Sequence, residues 1–340
     1  MRRIIQVGVG GMGLGWTDCV AESDRWEAAA YVDTDKKNLM SAAQRHGMPR
    51  SRCFGNLEDA FRTVEADALL DVTPQKFRKS VCCGAFKHGL DVMSEKPLAD
   101  NLRNAKSIVA QAKRLGRTYM VAQNYRYQPV LQTAKRFIQK GRLGDAGYVG
   151  VSFHKGPKFG GYREKMPYPL VLDMSIHHFD MMRAVFDCDI VAVQALSMNA
   201  PWNWNNGDAT VMAQLELSNG VVANYFASWV ATGAETDWNA NWRFEGSKGV
   251  LLWEDSALSF STKPNSRRKL PLASLPRTHQ AYLLEAFAGA LDSGAEPETS
   301  GRLNLNSLAA TYAVVCAVKE KRWVTLREML DKGSARPKKP

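Results

Sequence analysis

The chain reads as an α/β fold joined to an α+β fold, a doubly wound parallel sheet followed by a mainly antiparallel one. Three observations predict this. Up to residue 122, short apolar runs alternate with longer helical patterns, the grammar of a parallel sheet with helices on both faces. Beyond about residue 146, apolar stretches follow one another through short turns, as antiparallel strands do. The 340 residues also exceed one ordinary core, so two domains are expected, over residues 1–122 and 123–330, with a basic tail at 331–340.

The elements follow in order. Residues 3–8 form an apolar, β-branched strand that ends in glycines, and a helix runs from there to about Glu22. Residues 28–32 make the second strand, closed by Asp33. Asp35 is placed to cap the next helix, which Gly47 ends, because a side-chain oxygen satisfies the first free N–H groups and glycine tolerates the left-handed exit. Strands at 68–72, 90–93 and 118–122 alternate with helices at 76–88 and 101–115 that stop at Gly89 and Gly116. The second domain shows strands at 148–153, 190–197, 210–217, 221–229, 242–245, 249–253 and 257–261. Asn219-Gly220 sits between the third and fourth of these, a pair that accepts the positive φ of a tight hairpin. Helices at 278–292 and 303–320 finish the pattern.

Composition narrows the function classes. Hydrophobic residues make up 45% and charged residues 23%, as in a soluble globular protein. No apolar run approaches the roughly 20 residues of a membrane helix, and the chain enters a strand from Met1 with no leader pattern, so a cytoplasmic home is expected. The net charge is +11, but the excess is spread along the chain. It reads as attraction for anionic cofactors or substrates rather than a nucleic-acid surface. Cys19, Cys53, Cys82, Cys83, Cys188 and Cys316 show no paired spacing, so reduced thiols are expected and no metal site.

Gly8-Val9-Gly10-Gly11-Met12-Gly13 follows a strand and opens a helix. In that context Gly8 permits a tight turn, Gly10 lets backbone N–H groups approach a pyrophosphate, and Gly13 lets helix and strand pack closely. The helix N-terminus attracts the phosphate charge. Asp33 lies about 20 residues further on, where a carboxylate takes a ribose diol and repels a 2′-phosphate. NAD is therefore the expected cofactor; Lys36 and Lys37 close by keep NADP as the alternative.

With Glu95-Lys96-Pro97 and Asp173-x-x-x-His177 added, the chain resembles the Gfo/Idh/MocA family of nicotinamide-dependent oxidoreductases. Val72-Thr73-Pro74, Asn124-Tyr125-Arg126, the turn Phe244-Glu245-Gly246-Ser247-Lys248-Gly249 and Glu298-Thr299-Ser300-Gly301 occur in the family's order and spacing. The resemblance implies a Rossmann domain, then an open-faced sheet domain, with the site between them. It places Thr73, Pro74, Glu95, Lys96 and Asn124 along the cofactor, and it makes Lys96, Asp173 and His177 the catalytic trio. One departure stands out: Arg78 occupies a place where members often have histidine.

The chemistry agrees with the residues. Oxidising a secondary alcohol requires a proton acceptor that titrates near neutrality, as an unperturbed histidine does near ~6.5. Asp173, four residues before His177, shares its helix face, and Asp180 lies three residues on; His178 points elsewhere. Lys96 would donate to the reacting oxygen. Taken alone, an Asp-His-His-Asp helix is equally a structural one, and a lone lysine is usually solvated. For substrate, Tyr162 and Arg163 lie in the glycine-, aromatic- and base-rich stretch 155–169, and Trp202 and Trp204 alternate with amides in the stretch 201–207. Indole faces suit sugar C–H faces, so a sugar or cyclic polyol is expected, with simple loop anchoring as the plainer reading; Arg163 and Lys165 instead suit an acidic sugar. Trp229, Trp242 and Trp253 are assigned to the core or to the face of a homodimer or homotetramer formed through the second sheet. Two further functions stay open: NAD-dependent glycosidase-type redox elimination, and a non-catalytic NAD(P)-sensing regulator.

Overall fold

In the computed structural model, which describes residues 1–331, the chain divides into two units. The first comprises Met1–Asn124 and Pro276–Leu305. Its sheet contains β1 (Arg2–Val7), β2 (Trp26–Val32), β3 (Cys53–Phe54), β4 (Ala68–Asp71), β5 (Asp91–Glu95) and β6 (Tyr119–Ala122). All pair parallel in the order β3-β2-β1-β4-β5-β6. The order reverses between β1 and β4, which makes the crevice beyond their carboxyl ends the ligand-binding switch point of such a sheet. Helices α1 (Met12–Ala21), α2 (Lys36–His46), α3 (Leu57–Thr63), α4 (Arg78–Lys87) and α5 (Leu102–Arg114) form the crossovers. Asp35 caps α2 through the N–H groups of Lys37 and Asn38, and Gly47 ends it at φ 65°. β3 and α3 had no counterpart in the sequence pattern, because two residues carry no period and α3 is under two turns of regular pattern.

The domain limits of the sequence reading need one correction. Residues 276–305 fall with the first unit rather than the second. Helix α10 (His279–Ser293) lays Phe287 against Trp26 at 5.3 Å, and the Trp26 indole donates to Leu284 O at 2.9 Å. Nearby, Val121 N donates to Thr299 O, and Gly301 is required because a Cβ there would lie 2.3 Å from the Tyr119 ring. An apolar helix pattern does not say which sheet it covers.

The second unit comprises Tyr125–Leu275 and the chain from Asn306. Its strands are β7 (Ala146–His154), β8 (Ile190–Met198), β9 (Thr210–Leu217), β10 (Val222–Ser228), β11 (Asn241–Gly246), β12 (Gly249–Glu254), β13 (Ala257–Ser261), β14 (Arg268–Lys269) and β15 (Val324–Thr325). The order is β14-β13-β12-β11-β7-β10-β9-β8-β15. Only β7 and β10 pair parallel, so the sheet is mixed though mostly antiparallel. The predicted hairpin joins β9 and β10, with Gly220 at φ 86°. One face is core: Phe153, Tyr225, Trp242, Phe244 and Trp253 are buried, and Trp242 stacks on Trp253 at 5.8 Å. That assigns both strand tryptophans to the core; Trp229, also buried, follows β10 rather than lying in it. The other face exposes Leu196, Met212 and Phe226 in one cross-strand row.

Helix α6 (Pro129–Gln139) packs against α9 (Ser175–Phe186), which is buried from Ser175 to Val185. Between them in sequence lie the short α7 (Gly161–Glu164) and α8 (Pro169–Asp173); α11 (Gly301–Glu320) and α12 (Leu326–Asp331) complete the fold. Among the described residues no helix is long and apolar enough to cross a membrane. The predicted basic tail, apart from Asp331, lies outside the described residues.

Candidate active site

The glycine turn is built at the switch point. Gly8 adopts φ +86°, and a Cβ there would lie 2.8 Å from Val72 O, so β1 and the end of β4 approach too closely for a side chain. Gly13 is held tighter still, since its Cβ would fall 2.2 Å from Gly8 O. Buried Gln6 ties the two together, its Nε2 donating to Gly8 O and Gly13 O. A Cβ on Gly10 would meet the Asn38 amide, whereas over Gly11, at φ +44°, there is open space. Gly11 caps α1 without a side-chain hydrogen bond, and Met12 beside it is exposed. Gly13 N and Leu14 N turn back onto Gly10 O and Gly11 O, and no side chain caps the helix start, so Gly11 N and Met12 N are the donors left for a phosphate. Asp33 closes the loop, accepting from Val9 N at 2.9 Å and Asp35 N at 2.8 Å. These residues fit a dinucleotide: a side-chain-free cradle, an uncapped helix N-terminus, and a carboxylate at the end of β2.

At the end of β4 stands a group that the sequence reading missed. Asp71 is fully buried, and its Oδ1 accepts from both Thr73 N (2.9 Å) and Thr73 Oγ1 (2.6 Å). Thr73 and Pro74, expected along the cofactor, are thus braced from beneath. Arg78, the family departure, is buried too. Its Nη1 donates to Asp71 O at 2.8 Å and lies 3.4 Å from Asp71 Oδ1. Burial works against the guanidinium's charge, and the Asp71 carboxylate together with Tyr119, Cys82 and Glu95 outweighs it, so the pKa is raised. The Cys82 thiol donates to Asp71 Oδ2, and burial pushes its pKa well up, so it stays protonated. The available signal was a lone carboxylate closing an otherwise apolar strand, seven residues before an arginine.

At the end of β5, Glu95 uses both oxygens inside the unit, one accepting from the Trp16 indole at 2.8 Å and the other from Lys96 N at 3.0 Å. Its carboxylate therefore fixes the backbone of Lys96, whose peptide to Pro97 is cis. Asn124 starts the turn after β6, half-buried.

The second unit gathers the rest. Asp173 and His177 do not share one helix as expected. α8 ends at Asp173, Met174 breaks the register, and His177 N bonds back to Met174 O. Arg163 Nε donates to Asp173 Oδ2 at 2.7 Å, and the guanidinium lies over the Tyr162 and Phe159 rings at 5.0 and 5.1 Å. Burial opposes the Arg163 charge; the Asp173 carboxylate more than restores it. Tyr125 stacks on the His177 ring at 4.3 Å. Arg163, Asp173 and Tyr162 lie together, and Tyr125, which stacks on His177, feels the Asp173 carboxylate and so links the two groups; it stood in a sequence motif without a role.

His178 and Asp180 have other duties. His178 is buried, bonded to Tyr225 Oη at 2.8 Å and Trp238 O at 3.2 Å; burial lowers its pKa to about 4, so the ring is neutral. A carbonyl only accepts, so Nε2 carries the proton and Tyr225 donates to Nδ1. Asp180 is clasped by both Arg126 Nε and Nη2 and by Ser307 Oγ, an internal ion pair rather than a partner for substrate or imidazole. Of the loop indoles, Trp202 donates to Val230 O yet the residue stays 58% exposed, so it anchors the loop while remaining open to solvent; Trp204 lies under Lys158. All six cysteines are free thiols. Among the described residues no group of three His, Cys, Asp or Glu is placed to hold a metal ion.

A glycine-led helix without a side-chain cap at the switch point of a six-stranded parallel sheet defines the class, a dinucleotide-binding Rossmann protein. Comparison with known proteins names the family. Residues 2–123 match the oxidoreductase family with an NAD-binding Rossmann fold, and residues 131–252 match the GFO/IDH/MocA C-terminal domain. The chain belongs to this family and is an NAD(P)-dependent oxidoreductase. It is similar to a D-apiose dehydrogenase of Paraburkholderia graminis, with 28% identity over 90% of this chain and 84% of the relative. It is also similar to a 1,5-anhydro-D-fructose reductase of Ensifer adhaerens, with 23% identity over 93% and 96%. Among solved structures, an Agrobacterium radiobacter oxidoreductase in complex with NAD+, L-tartaric acid and magnesium shares the fold at TM-score 0.89, with 20% identity over 97% of this chain and 99% of that one.

Proposed function

We propose that the chain oxidises a secondary hydroxyl of a sugar or cyclic polyol, or reduces the corresponding ketone, with NAD as hydride carrier. The observation that carries the reading is Tyr125 bridging two features: its ring stacks on the His177 imidazole, and its hydroxyl feels the carboxylate of Asp173, which is paired with Arg163 over the Tyr162 ring. Bound NAD supplies the hydride-acceptor chemistry. His177 accepts the hydroxyl proton. Lys96, its backbone fixed by Glu95, is the ammonium donor that the family resemblance implies for the developing alkoxide charge. Asp173 keeps the Arg163 guanidinium in place, and Arg163 and Tyr162 present donors and a ring face to the remaining hydroxyls. Asp33 favours NAD over NADP, because a 2′-phosphate beside its carboxylate would be repelled. The exposed Leu196–Met212–Phe226 row supports a homo-oligomer assembled through the second sheet.

A panel of myo-inositol, D-glucose, D-galactose, D-xylose and D-apiose with NAD and NADP, read by nicotinamide absorbance, tests this. Turnover is expected with at least one compound, faster with NAD. Lys96→Ala and His177→Ala are each expected to lower kcat by roughly 100-fold or more while NAD still binds. Wild-type turnover in both variants would reject the assignment.

A further inference from the structure

Tyr125 has two properties that the proposed chemistry leaves unused. Its ring stacks on the His177 imidazole, centroids 4.3 Å apart and planes 29° from parallel. Its hydroxyl, in a half-buried residue, has no hydrogen-bond partner among the described residues. Packing against His177 needs only a ring; phenylalanine would supply it. The hydroxyl is not spent on any bond within the described residues, so it is available to a ligand oxygen. The surroundings decide which role the hydroxyl takes. Burial, together with the Asp237 and Asp173 carboxylates, holds the phenol up at about 12, so it is a donor across the working pH range. Asp237 is itself fixed by Ser256 Oγ and Asn239 N, and Asp173 by Arg163.

We propose that Tyr125 is a substrate-contacting and positioning residue: its ring fixes the plane of His177, and its O–H donates to a substrate hydroxyl next to the one being oxidised. The inference rests on the reading of His177 given above. The imidazole torsion is broad in energy, and one aromatic face against it selects one orientation. The donor then selects substrates with a neighbouring oxygen in reach, so a vicinal diol is the group recognised.

The test is a pair of variants assayed with the best compound of the panel above, alongside its deoxy analogue at the neighbouring carbon. Tyr125→Phe keeps the stack and removes the donor. It is expected to raise KM for the diol up to about 10-fold, to leave the Kd for NAD unchanged, and to reduce discrimination against the deoxy compound. Tyr125→Leu removes both. It is expected to lower kcat by a further 10- to 100-fold, a loss that phenylalanine restores. An unfolding curve shows whether the leucine variant folds; the phenylalanine variant tests the donor whether or not it does. Wild-type KM and discrimination in Tyr125→Phe would overturn the substrate contact. A folded Tyr125→Leu as fast as Tyr125→Phe would overturn the positioning role. Full turnover in His177→Ala would instead remove the reading on which the inference stands, and that result is distinct from both.

Discussion

Replacing Arg78 by methionine isolates the buried pair beneath the cofactor loop. In the native unit the Arg78 side chain is 1% exposed and that of Asp71 0%. Removing the guanidinium leaves the carboxylate with only Thr73 N, Thr73 Oγ1 and the Cys82 thiol. An uncompensated buried charge of this kind costs about 3–5 kcal/mol. At roughly 2–4 °C per kcal/mol for a domain of this size, the expected fall in melting temperature is on the order of 10 °C. The rest of β4 is apolar, Ala68-Leu69-Leu70, so Asp71→Leu combined with Arg78→Met is expected to regain most of the stability. Thr73 would then have lost both bonds to Asp71 Oδ1, and with its loop released the affinity for NAD should stay about 5- to 10-fold weaker. Thermal unfolding of the four proteins in the cycle, with NAD titration by fluorescence, reads both quantities. The reasoning is refuted if Arg78→Met costs under about 1 kcal/mol, or if the double variant loses the sum of the singles.

Two further outcomes are expected. His178 is neutral in the fold, with a pKa of about 4 against 6.5 unfolded, so the unfolded chain binds the extra proton. Its contribution, about 3 kcal/mol, is complete above pH ~6.5 and is lost as pH falls from there through 4; urea midpoints over that range should drop, and His178→Gln should flatten the dependence. Equal slopes in the two proteins would contradict this. If the chain assembles through the open sheet face as proposed, wild-type light scattering gives a multiple of the chain mass and Leu196→Arg with Phe226→Arg gives a single chain; a monomeric wild type, or a variant of unchanged mass, would refute that interface.

The sequence made most of the parallel half legible because four of its six strands end in punctuation: Gly8, Asp33, Thr73-Pro74 and Glu95-Lys96. Capping residues such as Asp35 and Gly47 also act locally, so their effect is readable from neighbours alone. What escaped was non-local. Asp71 and Arg78 look like a strand end and a helix start; only folding shows that they face each other. The break at Met174 leaves no mark, because Leu172-Asp173-Met174-Ser175 contains neither glycine nor proline. Tyr125 was visible as a letter in a motif, but its stacking on His177, 52 positions away, is a tertiary fact. Residues 276–305 were placed with the wrong sheet for the same reason.

The two units treat their functional side chains in opposite ways. In the first, Asp33, Glu95, Thr73 and Gln6 direct hydrogen bonds inward and shape loops. What is left for the cofactor is largely backbone: the N–H groups of Gly11 and Met12 and the side-chain-free surface of Gly11. In the second, the Tyr125 hydroxyl and the ring faces of Tyr162 and Trp202 remain available. A cofactor that is the same in every turnover suits a rigid backbone cradle, because preorganised dipoles need no rearrangement. A substrate selected among near-identical polyols needs side-chain donors whose unmet bonds penalise the wrong compound. Substitutions of inward-bonded side chains in the first unit should therefore appear first as lost stability and weaker NAD binding. Those in the Tyr125–Arg163 region should appear as altered KM and altered substrate preference in a protein that still folds.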